Sequence, residues 1–162
     1  MKASSSKQPD MNSSFSVQHP NNSPVNVQVL VRCRPPNSQE KDVAQVIRTY
    51  PHRREVQVAQ KILSTGKEVE KTFTFDCVYG PATTQKELFD KSIKHIVDEV
   101  LLGYNCTIFA YGQTSTGKTY TMEGERSPKT NTIIDSKAGV IPRSINYIFS
   151  TLDSLNTEYT VK

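Results

Sequence analysis

The stretch that most limits what this chain can fold into is Gly112-Gln113-Thr114-Ser115-Thr116-Gly117-Lys118-Thr119. It satisfies the pattern GxxxxGK[ST] at every position, which a random chain of this length matches on the order of half a percent of the time. The apolar run "CTIFAY" leads straight into it, and "KTYTM" after it can open a helix. A buried strand, a glycine loop and a helix in that order are what a phosphate-binding loop requires. The glycines let consecutive main-chain N–H groups turn inward as an anion nest, and the following helix adds its positive end. Lys118 would carry a full charge to the β- and γ-phosphates, and the Thr119 hydroxyl would ligate Mg²⁺. Ser115 and Thr116 contribute mainly backbone amides, and Gln113 and Thr114 complete the nucleotide-binding loop with them. The loop points to a nucleoside triphosphate with Mg²⁺, and to an α/β fold.

No second half of a hydrolytic site accompanies it, so no catalytic residue is assigned. Asp135 and Asp153 follow the loop too soon, in a loop-like and a helical pattern, not at the end of a second buried strand. The carboxylate pair Asp98-Glu99 reads as an ordinary charged helix face.

The remaining sequence supplies a setting for one domain. A length of 162 residues suffices for a real core. A net charge of +4 is too mild to indicate nucleic acid, and no nucleic-acid motif accompanies it. Cys33, Cys77 and Cys106 are an odd number at wide spacing, expected to be reduced and packed as small hydrophobes. No apolar run follows Met1 and none is long enough to span a bilayer, so a soluble, intracellular protein is expected. Residues 1–24, rich in Ser, Asn, Gln and Pro, read as a disordered tail.

From residue 25 the pattern becomes ordered. Val25, Val27, Val29 and Val31 alternate as in a strand that ends at Pro35-Pro36. Short β-like runs follow in "VAQVIRTY", "REVQVAQKIL" and "KTFTFDCVY", with turns expected at His52-Arg53-Arg54 and in "STGKEVEK", giving a meander or hairpins. The period then changes to helical. Leu88, Phe89, Ile93, Ile96, Val97, Val100 and Leu101 share one face, Thr84 and Glu87 suggest a capping box, and Gly103 a C-cap. His95 falls among the charges. Beyond a polar stretch to Gly139, a second helix carries Ile145, Ile148, Phe149, Leu152 and Leu155, and "TEYTVK" reads as the start of a strand.

Together, "VRCRPPNSQE", "FTFDCVYGPATTQKELFD", "EVLLGYNCTIFAYGQTSTGKTYTMEG" and "GVIPRSINYIF" resemble the first part of the kinesin motor domain, in that family's order and spacing. The likeness runs from residue 25 to the end. "RCRP", "EVLLGYNCT" and "MEGERSP" look most like the bipolar mitotic kinesin-5 class. The resemblance implies a P-loop NTPase-like, three-layer α/β/α fold with a mixed central sheet, present as its N-terminal part over 25–162. It implies an ATP-driven microtubule motor, with ATP and Mg²⁺ as cofactors. Arg32, Arg34, Pro35 and Tyr111 would lie against the adenine, since guanidinium and phenol planes stack on a purine. It further implies microtubules as partner through segments outside this sequence, a homotetramer, and a cytoplasmic, cytoskeletal place on spindle microtubules, with neither nucleic acid nor membrane as partner. The segment from Glu123 to about Gly139 corresponds to the loop that shapes an inhibitor pocket in this class. The chain has no Trp, which animal members often place there. The family's two switch motifs, its tubulin-contacting helices, neck linker and stalk are not found in the sequence. The 162 residues alone are therefore expected to be unstable and without ATPase activity. Two other readings stand beside this one: a non-catalytic nucleotide-binding regulatory product, and an unrelated P-loop nucleotide kinase.

Overall fold

A computed structural model describes residues 27–41, 43–61, 66–125 and 135–155. The expected tail over 1–24, the "TEYTVK" strand and the middle of the stretch between Glu123 and Gly139 lie largely or wholly outside them. Among the described residues two small sheets and a helical layer form. Strand β1 (Leu30–Arg32) pairs in parallel with β5 (Cys77–Tyr79), Leu30 opposite Cys77 and Arg32 opposite Tyr79. Strands β2 (Ile47–Tyr50), β3 (Glu55–Lys61) and β4 (Glu68–Thr74) make an antiparallel meander in that order. Parallel and antiparallel pairing both occur, but in two sheets and not within one.

The meander follows its sequence. Pro51–Arg53 form a single 3₁₀ turn, with proline where its missing N–H is harmless. Arg54 then closes the turn in the left-handed region at φ 58°, its N–H donating to the Pro51 carbonyl at 3.0 Å. The basic cluster His52-Arg53-Arg54 is therefore an exposed turn, as read. "KTFTFDCVY" is not one strand. At Phe75-Asp76 the backbone changes partners: Phe75 N–H donates to Arg54 O at 2.9 Å, and Asp76 N–H to Val29 O at 3.2 Å. The run thus ends one sheet at Thr74 and opens the other at Cys77. The first strand is also shorter than its alternation suggests. Val27 and Val29 are 69% and 48% exposed, because β5 offers only three residues to pair with and a ladder lasts no longer than its partner.

Helix α1 (Gln85–Leu88) begins where Thr84 Oγ1 accepts the Glu87 N–H at 3.1 Å, the first half of the capping box. A π turn over Phe89–Ile93 follows, in which Lys94 N–H reaches back to Phe89 O, and α2 (Lys94–Leu101) completes the helix. Its end is a Schellman motif: Tyr104 N–H donates to Glu99 O at 3.1 Å and Gly103 N–H to Val100 O at 2.9 Å, with Gly103 at φ 97°. Leu88, Phe89, Ile93 and Val97 are buried, joined by Tyr79 and by Val140 of α4 (Val140–Ser154). Val100, expected on the same face, is exposed. His95 is exposed as expected.

The packing of α4 differs from its sequence pattern. Tyr147 and Ile148 pack against the core, whereas Ile145 and Phe149 are about half exposed (51% and 52%). The helix has more apolar positions than one face can bury. Tyr147 wins because its ring meets Phe89 edge-on, centroids 6.1 Å apart, and its phenol donates to Asp98 Oδ1 at 2.7 Å. Asp98 is thus a partner in the helix packing and not simply part of a solvated face. That bond and burial raise the Tyr147 pKa.

The largest departure is "CTIFAY". Residues 104–112 form no ladder, and only Ile108 packs against the core. Phe109 is 78% and Tyr111 95% exposed. A strand satisfies its backbone only through neighbours, and no described segment flanks this one.

Candidate phosphate-loop site

The loop after Tyr111 has the backbone its sequence calls for. Gly112, Ser115 and Gly117 have φ of 152°, 66° and 96°. Such left-handed residues interrupt the chain so that it curls around a small concavity. A Cβ at Gly112 would lie 2.8 Å from Thr116 Oγ1, so that position accepts only glycine without rearrangement. Thr116 Oγ1 itself donates to Gln113 O at 2.8 Å, bracing the turn from within.

Lys118 opens helix α3 (Lys118–Met122) with Gly117 as its N-cap. Its ammonium folds back over the loop and donates to the carbonyls of Gly112 at 2.9 Å and Gln113 at 2.5 Å. A cation held by two neutral carbonyls at an open loop has exchangeable partners. Thr119 is exposed beside it. A five-residue helix sums few peptide dipoles, so local amides and the ammonium, more than a macrodipole, suit this site to an anion.

The four residues expected against the adenine are placed differently from one another. Arg34 makes a bidentate pair with Glu40, Nη1 to Oε2 and Nη2 to Oε1, both 2.7 Å. The Arg34 hydrogen bonds, with the Asn37 backbone N–H, draw the Glu40 carboxyl down to about 2. Pro35 and Tyr111 are exposed. Arg32 turns inward. It donates through Nη1 to Gln85 Oε1 (2.8 Å) and Thr121 Oγ1 (3.1 Å), and through Nη2 to Thr83 O (3.3 Å). Its guanidinium carbon lies 5.3 Å from the Tyr120 ring centroid. Burial lowers its pKa, against an opposing effect of Tyr120.

Gln85, absent from the sequence-based set, is the centre of that network. It is 3% exposed, and its Nε2 donates to Tyr120 O at 2.6 Å while its Oε1 receives Arg32. The signal for it was present: a glutamine three residues before Leu88 and four before Phe89 lies on the apolar helix face, where a polar group needs partners. Farther on, Gly124 and Ala138 pair across the base of the loop that follows α3, and a Cβ at Gly139 would stand 2.5 Å from Met122 O. Arg143 donates to Ala138 O at 2.8 Å, Asp135 O at 3.1 Å and Ser136 O at 2.8 Å, which fixes the start of α4 against that base.

Comparison with known proteins gives the family. The kinesin motor domain model matches residues 32–162. Kinesin-like protein KIN-5C of Oryza sativa subsp. japonica is 54% identical over 145 residues, covering 85% of this chain and 14% of its own length. KIN-5C of Nicotiana tabacum is 53% identical over 143 residues, and KIN-5A of Arabidopsis thaliana 52% over 141, with 85% of this chain and 14% and 13% of theirs covered. The chain therefore spans about a seventh of the length of the curated relatives it matches. An unrelated nucleotide kinase is set aside by the family match. With its phosphate-loop pattern, its RCRP motif and these relatives, the chain belongs to the kinesin motor-domain family and is similar to its kinesin-5 members.

Proposed function

We propose that this chain is the nucleotide-holding part of an ATP-driven microtubule motor. The observation that carries the proposal is the Lys118 ammonium resting on two main-chain carbonyls of a glycine loop. Those carbonyls are partners that a polyphosphate can replace. Bound ATP would bring its phosphates to Gly112, Gln113, Thr114, Ser115, Thr116, Gly117 and Lys118. Mg²⁺ would meet the Thr119 hydroxyl, supplying charge neutralisation between β- and γ-phosphates. The residues present fit such a group: a left-handed loop, one cation held on neutral carbonyls and one exposed hydroxyl. Arg34, Pro35 and Tyr111 would face the adenine. Arg32 joins them with its donors already engaged, offering only its planar face.

In the complete domain, β1 and the segment 106–111 would become strands of one mixed central sheet between helical layers, as in P-loop NTPases. That fits the exposure of Phe109, which such layers would cover. Hydrolysis and contact with tubulin belong to segments outside this chain. A tetramer acting on spindle microtubules in the cytoplasm follows from the likeness to kinesin-5 proteins.

Lys118→Ala in the full-length protein is expected to weaken ATP binding about a hundredfold, or about 3 kcal/mol, by removing a charge-assisted contact. Equilibrium binding of a fluorescent ATP analogue measures this. Unchanged affinity would refute the site. Co-pelleting of the wild-type protein with microtubules in a non-hydrolysable ATP analogue tests the motor. A protein that binds ATP but stays in the supernatant would instead be the non-catalytic product.

A further inference from the structure

Gln85 and Arg32 join three elements that the phosphate loop does not itself connect. Arg32 is the last residue of β1, and Arg34 and Pro35 lie directly beyond it. Gln85 is the first residue of α1, fixed by the cap at Thr84. Tyr120 and Thr121 belong to α3, which begins with Lys118 and Thr119. Four polar contacts tie these together: Arg32 to Gln85, Arg32 to Thr121, Arg32 to Thr83 O, and Gln85 to Tyr120 O. Gln85 Nε2 also reaches Lys137 O at 3.4 Å, a weaker second bond.

Both ends of the glutamine amide are used, one as acceptor from β1 and the other as donor to α3. A buried amide with both ends satisfied is rigid, because any rotation leaves a polar atom unpaired away from water. A leucine of similar volume would fill the space but take from Arg32 Nη1 one of its two acceptors and from the Tyr120 carbonyl its glutamine donor. The glutamine amide supplies an acceptor and a donor on one uncharged group, which a leucine or a carboxylate does not.

We propose that Gln85 is a positioning residue that sets how far the purine end of the site lies from its phosphate loop. This rests on the reading of the loop as an ATP site, and adds a specificity device to it. The clamp fixes β1, with Arg34 and Pro35 at its exit, against α3, with Lys118 at its start. A ligand that spans both ends feels that spacing. A ligand that occupies only the loop does not. Gln85 therefore selects nucleotide over bare polyphosphate without itself touching either.

The test compares ATP with inorganic tripolyphosphate, each titrated by calorimetry into the full-length protein. Gln85→Leu is expected to weaken ATP about tenfold while tripolyphosphate changes less than twofold. Thr121→Val, which removes one acceptor from Arg32 and preserves shape, is expected to shift the same ratio about threefold. Should Gln85→Leu fail to fold, Thr121→Val alone decides. A purely structural role would weaken both ligands by the same factor, and that result, or no change in either, overturns the proposal. The two readings separate cleanly. A wild-type protein that binds neither ligand removes the phosphate-loop assignment and the clamp with it. A wild-type protein that binds both, with variants of unaltered ratio, removes the clamp alone.

Discussion

The helix running from Gln85 to Leu101 and the segment from Tyr104 to Gly117 are consecutive, similarly apolar, and opposite in outcome. The first is capped at both ends and buries Leu88, Phe89, Ile93 and Val97. The second forms no ladder and leaves Phe109 and Tyr111 almost bare. A helix pairs its own N–H and C=O groups, so it needs from the rest of the chain only a surface to cover its apolar stripe. A strand needs that surface and at least one hydrogen-bonding neighbour as well. Apolar sequence is equally present in both segments. Backbone satisfaction separates them.

The strongest way to break this comparison is truncation of one phenylalanine in each segment. Phe89→Ala should cost about 3–5 kcal/mol, by loss of a buried ring and its contact with Tyr147. Phe109→Ala in the same 162 residues should stay within about 0.5 kcal/mol, and rise to several only in a longer protein that covers it. Denaturant midpoints measure both, and equal losses in the short chain would show that the second segment is buried after all.

A smaller contrast lies in two residues that share left-handed torsion. Gly103 ends the helix at φ 97° with open space where a Cβ would go, so Gly103→Ala should cost about 1–2 kcal/mol by torsion alone. Ser115 accepts the same region at φ 66° inside the loop. Ser115→Gly should relieve up to about 1 kcal/mol of that strain, and a rise in thermal midpoint of a few degrees at most would register it.

The smallest effect sharpens the comparison through pH. The turn from Arg34 to Glu40 is held by ionic and Asx-type bonds, whereas the helix is held by apolar burial. Glu40 has a folded pKa of about 2, below its ordinary 4.5, so its support is whole above about 4.5 and is lost as pH falls toward 2. Amide protection factors, taken relative to the intrinsic rate at each pH, should fall around Asn37–Glu40 across that window while those of Ile93–Val97 hold. The exposed pairs Lys86–Asp90 and Glu87–Lys91 on the helix are worth only tenths of a kcal/mol and should not blur the contrast.

How much was legible follows the same division. The meander, the Thr84 cap, the Gly103 terminus and the glycine loop could all be read because each is written in residues close along the chain. The split of "KTFTFDCVY" between two sheets could not, since Phe75 and Asp76 find their partners at Arg54 and Val29. Nor could the burial of Tyr147 in preference to Ile145 and Phe149, which depends on Phe89 and Asp98 meeting it from another helix. Gln85 was visible only as a polar residue on an apolar face, with nothing to name its partners.

By itself, the sequence determined the torsions of the phosphate loop, the lysine at its end and the helix termini, because glycine placement and capping act within a few bonds. Only the tertiary structure decided that Arg32 turns inward to Gln85, that Lys118 rests on the loop carbonyls, and which stripe of the last helix is covered. Those outcomes depend on groups that only folding brings together, and a donor has no assigned acceptor until it has done so.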